Sequence, residues 1–319
     1  CGPICSMMFM CPSVSNRARG YVAGAVAAAS YGVNPLLALP LFAVGVNSDS
    51  MLCYRYVLAV IMLAVSMIVM RKSFHLTRRQ IPLMALFSIL FACSSLLLFE
   101  SYRYMDVGIA STILFVYPVF VAIINTLFYR ERLSVVTVLS IALALGGIVL
   151  LYFGGDAEAN LSVTGTVLVI FSAVAYALYM VAVNRTSLRS VPSLTLTFYS
   201  VFFGQAVFFV RILFCSGFTP VEGTLPWVCA VSLALFPTVV SLLTMAVAIH
   251  DIGSTATAIL GALEPVTALI IGVCVFDERL TALAVTGIVM VLVAVTLLIL
   301  SKPLIRILRQ LSVMLHVIK

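Results

Sequence analysis

Apolar runs of about 20 residues recur between residues 20 and 301, and a helix needs about that length to cross a hydrocarbon core about 30 Å thick. Lipid offers backbone N–H and C=O groups no partner, so each run must satisfy its own backbone as a helix. With 63% hydrophobic and only 9% charged residues, the chain lacks the polar surface of a soluble domain. The same balance excludes disorder and nucleic-acid binding. The chain reads as an all-α integral membrane protein.

A window of about 19 residues places spans near 20–44, 50–70, 81–101, 107–128 and 134–152, then 164–183, 194–216, 225–249, 252–276 and 281–301. Ten spans put both termini on one side. Of the 18 Lys and Arg residues, all but Arg55, Arg103, Arg211 and Arg279 fall on that side. Basic loops stay in the cytoplasm, so both termini are expected there, with residues 1–19 as a cytoplasmic N-terminal segment. Met7, Met8 and Met10 precede the arginines in too short an apolar stretch for a secretory signal. Residues 302–319 spread Arg306, Arg309, Gln310 and His316 among leucines and isoleucines. That composition suits a basic amphipathic tail lying on anionic lipid headgroups. The eight cysteines (Cys1, Cys5 and Cys11 among them) form no CxxC pair and no Cys/His spacing for zinc, so neither a metal nor another cofactor is expected.

The two halves repeat at an offset of about 145 residues. Gly20 and Tyr31 match Gly165 and Tyr176, Pro82 matches Pro226, and Asp106-Val107-Gly108 matches Asp251-Ile252-Gly253. Pro118 then matches Pro265, and Glu131-Arg132-Leu133 matches Glu278-Arg279-Leu280. Five is odd, so the second unit, 164–301, enters the membrane inverted relative to the first, 20–152. Duplicated, inverted five-helix units are the build of a secondary transporter, which shows one site to each side in turn. No nucleotide-binding motif accompanies them, so transport draws on a gradient.

The tract from Asp106 through Tyr117-Pro118 to Phe120, closing in Tyr129-Arg130-Glu131-Arg132-Leu133, resembles the fourth helix of EamA-type members of the drug/metabolite transporter superfamily. Ile259-Leu260-Gly261-Ala262-Leu263-Glu264-Pro265-Val266, followed by Phe276-Asp277-Glu278-Arg279-Leu280-Thr281, resembles that family's ninth helix. The resemblance covers residues 20–301. It implies ten helices around a central cavity, with the fifth and tenth outside it, in a carrier of the bacterial inner membrane. Such carriers often export amino acids or related metabolites.

A proline within a helix removes one hydrogen bond and displaces the carbonyl four residues earlier. Pro118 is thus expected to free the carbonyl of Leu114, and Pro265 that of Gly261, at matched mid-span positions. Paired interruptions of this kind point to a transport site. The residue before each proline is Tyr117 in one half and Glu264 in the other. Glu264 lies near the bilayer midplane, where a charge costs roughly 2.5–3.5 kcal/mol on insertion scales. It is expected to face the cavity and bind a substrate cation or a coupling proton, or else to sit as a protonated structural group at the kink. Arg55 is expected either to pair with Glu100 or Asp106 or to clamp a substrate carboxylate bidentately. Tyr31 and Asn34 share one helix face, as do Tyr176 and Tyr179 at the equivalent place, with Ser94 and Thr238 matched between the halves. These residues serve either a polar lining for an organic solute or ordinary helix packing.

The Glu-Arg-Leu repeats precede Ser134 and Thr281, expected to cap the fifth and tenth helices. Ala142 and Gly146 make a small-residue face suited to a homodimer. The three histidines, His75, His250 and His316, come with no HExxH, GxSxG or Walker loop, so no enzyme is expected. A channel or non-transport scaffold is the rival class. Within the carrier reading, an amino acid fits Glu264 and Arg55 together, with sugars, nucleosides or drugs as alternatives.

Overall fold

A computed structural model describes residues 14–130, 135–153 and 162–317, and every regular element among them is helical. Glu131, Arg132, Ser134 and Lys319 lie outside these residues, as do Cys1, Cys5, Cys11 and the three early methionines. In chain order the first repeat comprises α1 (Arg17–Ala43), α2 (Ser48–Val69), α3 (Gln80–Ser101), α4 (Val107–Tyr129) and α5 (Val135–Phe153). The second comprises α6 (Val163–Arg185), α7 (Ser193–Ser216), α8 (Thr224–Ile252), α9 (253–276) and α10 (Ala282–Val317). The ten expected spans agree with these helices to within a few residues, except at the C-terminal end of α10. Eight are long and apolar enough to cross a membrane by themselves. Residues of the tail up to Val317 continue α10 without a break.

The boundary between α8 and α9 is a fold-back inside continuous helical backbone, which runs from Ser241 to Leu260. A Cβ on Gly24 would lie 3.4 Å from Ala248 Cβ and 3.6 Å from Leu260 Cβ. Twelve residues of straight helix would hold those two atoms about 18 Å apart, so the chain reverses near Ile252.

The circumference is apolar: Ile68, Leu127, Phe128, Val135, Leu213 and Phe214 are all strongly exposed. In a soluble protein such a surface would aggregate, whereas in lipid it is the solvated face. Inside, α1 packs on α8, α3 on α6, α2 on α7, α4 on α9 and α5 on α10. Each pair joins one repeat to the other, and the repeat operation maps the set of pairs onto itself. The halves therefore interleave instead of standing side by side.

The α5–α10 pair crosses closely. A Cβ on Gly147 would meet the Gly287 carbonyl at 2.8 Å, and one on Gly287 would meet that of Gly147 at 2.7 Å. Gly146 faces Met290 in the same contact. The small-residue face read as a dimer surface is therefore partly consumed within the chain, because only glycine lets these two backbones approach.

The arginine-rich connections 70–79 and 186–192 share one face of the molecule, called here the basic face. The connections 44–47, 102–106, 217–223 and 277–281 form the opposite, far face. On the basic face Arg19 forks onto Asp251 at 2.8 and 3.0 Å, tying α1 to α8. On the far face Arg211 forks onto Asp49 at 2.7 and 3.2 Å, tying α7 to α2.

Candidate substrate site

Three helices are interrupted at mid-membrane, and their breaks converge. α1 breaks at Val33, where Asn34 and Pro35 restart the helix and the Asn34 amide donates to the Tyr31 carbonyl at 2.8 Å. α4 breaks at Phe115–Val116 and restarts with Tyr117 and Pro118 in its first turn. α9 breaks at Gly261–Ala262 and restarts at Leu263, with Glu264 and Pro265 in the first turn. Proline suits both restarts, since a first-turn N–H has no helical acceptor to lose. A Cβ on Gly32 would sit 2.6 Å from the Glu264 carbonyl, so glycine is what lets the α1 and α9 breaks touch. The expected free carbonyl of Gly261 is not free. It accepts the Glu264 N–H at 3.0 Å in a tight turn that closes the break.

Glu264 is half-buried at this junction, and its side chain has no hydrogen bond or ion pair among the described residues. Its place in the first turn of a half-helix puts it at the positive end of that dipole. The expected ion pair of Arg55 with Glu100 or Asp106 does not form. Glu100 accepts instead from Ser48 at 2.6 Å and from Arg103 at 3.2 Å. Arg55 is 6% exposed, donates through Nε to Thr238 at 3.3 Å, and lies over the Phe99 ring at 5.3 Å. A hydroxyl and an aromatic face hold the guanidinium, and among the described residues no carboxylate does. Thr238 can reach it because α8 carries a π-helical bulge over Leu235–Val240, a distortion often found at functional positions.

Tyr31 lies within electrostatic reach of both Arg55 and Glu264. Tyr117 and Tyr176 meet edge to face with ring centroids 4.7 Å apart, and Tyr176 lies within reach of Tyr31 and Glu264. Asn34 is 2% exposed, and its Oδ1 has no partner among the described residues. An acceptor left open there costs about 1–3 kcal/mol unless something donates to it. Tyr179 stands apart from this group in role. Its hydroxyl bonds Ser200 at 2.7 Å, and its ring packs on Phe91 and Tyr176, so it fixes the aromatic wall to α7. Ser94 is also committed, to Ser172 of α6 at 3.1 Å.

Two residues of this cluster escape a pairwise sequence comparison. Tyr102, at the far end of α3, reaches Ser111 and lies near Tyr31, Arg55 and Glu264. Phe99 supports Arg55 from below. Ser94, Leu98 and Tyr102 recur every four residues and so mark one helix face, the signal that would have included Tyr102. No group of three or more His, Cys, Asp or Glu residues among those described could hold a metal ion.

Comparison with known proteins agrees with this architecture. Residues 18–153 and 163–300 each match the EamA-like transporter family. A protein of Synechocystis sp. described as an uncharacterized transporter is 29% identical over 210 residues. That match spans 63% of this chain and 61% of the relative, less than two thirds of its length. A solved crystal structure superposes with a TM-score of 0.64 at 14% identity, over 88% of this chain and 96% of its own. At that identity the likeness concerns the fold alone.

Proposed function

The chain belongs to the EamA-like transporter family, and from that premise we propose that it is a gradient-driven carrier of amino acids or closely related zwitterions. It works by alternating access, with the basic face in the cytoplasm of a bacterial inner membrane and export as the direction. Arg55 takes the substrate carboxylate, Glu264 takes the amine, and Tyr31 with the open Asn34 acceptor bridges them. Tyr117 and Tyr176 form the wall against which the side chain lies.

One observation carries this reading. A buried guanidinium without a carboxylate and a half-buried carboxylate without a cation flank the same tyrosine. Each alone is costly in a membrane interior. Joining them directly would cancel the cost, yet the fold keeps them apart, as a site for a ligand bearing both charges requires. Bidentate recognition also suits arginine at the carboxylate end.

The test is counterflow in proteoliposomes loaded with unlabelled amino acids and given labelled ones in turn. Saturable exchange of an amino-acid class is the expected result. Flux that rises linearly with concentration and shows no exchange would indicate a channel. Exchange confined to sugars, nucleosides or cationic drugs would keep the carrier and refute the zwitterion.

A further inference from the structure

On the far face the connection after α9 reaches across to the other repeat. Asp277 takes a left-handed conformation, φ 55°, and the Glu278 N–H returns to the Gly272 carbonyl at 3.0 Å. This turn aims the Glu278 side chain back along α9, over Gly272, where a Cβ would collide with the carboxyl group. Threaded through that gap, Glu278 accepts the N–H of Val107 at 2.7 Å and that of Gly108 at 3.3 Å. Those amides are the first of α4, so a side chain of the second repeat caps a central helix of the first. Its own following helix is capped, as expected, by Thr281, which accepts from the Ala284 N–H at 3.1 Å.

The charges around Glu278 are uneven. Asp106, which immediately precedes α4, is a second carboxylate acting on it. From its own connection, Asp277 and Arg279 are exposed, and on the α3–α4 connection Arg103 is held by Glu100. No cation among the described residues offsets the pair. An anion confined beside another anion is stabilised only by the two amides and the end of the helix dipole.

We propose that Glu278 and Asp106 form a proton-binding latch on the far face, in which one bound proton lets Glu278 dock on α4 and close that side of the carrier. This rests on the carrier reading above, and gives the coupling proton a place separate from the substrate site. A protonated Glu278 still accepts the short Val107 bond through its carbonyl oxygen, and it no longer brings a second negative charge beside Asp106. When the latch opens, Glu278 returns to water and ionises at ordinary pH. Burial, followed by the charge of Asp106, pushes its pKa up to about 7 when docked, against the pull of the two amides. Burial also raises Asp106. The sign follows: a group that binds its proton more tightly when docked favours docking below about pH 7. That preference weakens as pH rises from the ordinary glutamate value of 4.5 to about 7, by up to about tenfold per unit, and levels off above it.

Hydrogen exchange of the full chain in lipid nanodiscs reads this without any substrate. The quantity is the protection of the Val107 and Gly108 amides, corrected for intrinsic exchange, between pH 5.5 and 8.5. The wild type should be best protected at pH 5.5, lose about tenfold by pH 7 and change little above it. Glu278→Gln, neutral and still an acceptor, should stay protected throughout, and Glu278→Ala should be unprotected throughout. Asp106→Asn should move the transition to lower pH by removing the neighbouring charge. Equal profiles for wild type and Glu278→Gln, or protection that rises with pH, would overturn the latch. Either outcome would leave substrate counterflow, and hence the carrier reading, untouched.

Discussion

At the break in α4 the helix resumes with Tyr117 and Pro118, and at the matched break in α9 it resumes with Glu264 and Pro265. The backbone device is the same: a lost turn, a first-turn proline and a restarted half-helix at mid-membrane. The chemistry is not. One break presents a neutral ring to Tyr176, the other an unpaired carboxylate near Tyr31. The far ends of the same two helices repeat the lesson. Arg130 and Asp277 both turn through the left-handed region, and their own N–H groups return to the carbonyls of Asn125 and Gly272 respectively. Gly272 leaves a gap that Glu278 fills. Asn125 puts a side chain at the matched position and accepts from Arg185 at 3.0 Å. The two repeats share the backbone device and differ in the side chains it presents.

That contrast can be broken by experiment. If the breaks differ in role, Glu264→Gln should slow amino-acid counterflow by about 100-fold, the effect of removing one partner of a desolvated charge pair worth about 3 kcal/mol. Arg55→Lys keeps the charge and loses the planar fork, so the half-saturation concentration should rise by about tenfold. Where the repeats are equivalent, their variants should be too. Gly147→Leu and Gly287→Leu should each cost about 1–3 kcal/mol of stability by overpacking one crossing, seen as similar falls in thermal midpoint in detergent. Unequal falls would show that the α5–α10 contact is less symmetric than its geometry. Tyr117→Phe should change counterflow least, by less than about fivefold, the value of one neutral hydrogen bond. A loss equal to that of Glu264→Gln would erase the distinction between the two breaks.

Much of this was legible in the sequence because its causes are local or periodic. Span lengths follow from bilayer thickness, and Pro118 and Pro265 announce the two breaks. The odd helix count forces the inversion. The misplaced expectations share another cause, since each depended on a contact between repeats that no spacing encodes. Arg55 was offered Glu100, but Ser48 and Arg103 reach that carboxylate first. Gly146 was offered to a second copy, and it borders Met290 of α10 within the chain while Ala142 of the same face stays exposed. Nothing in its spacing linked Glu278 to α4, where the left-handed turn at Asp277 and the missing side chain at Gly272 send it. The sequence shows both residues without showing that they act together.

The central claim, one ligand bridging Arg55 and Glu264, is tested most directly by pairing cuts in the protein with cuts in the substrate. Counterflow of a transported amino acid would be competed by its analogue lacking only the carboxylate, in the wild type and in Arg55→Gln. The account predicts that this analogue competes at least about tenfold more weakly than the amino acid against the wild type, and equally well against Arg55→Gln. If the missing carboxylate costs the same in both proteins, Arg55 does not hold it, and the account is contradicted.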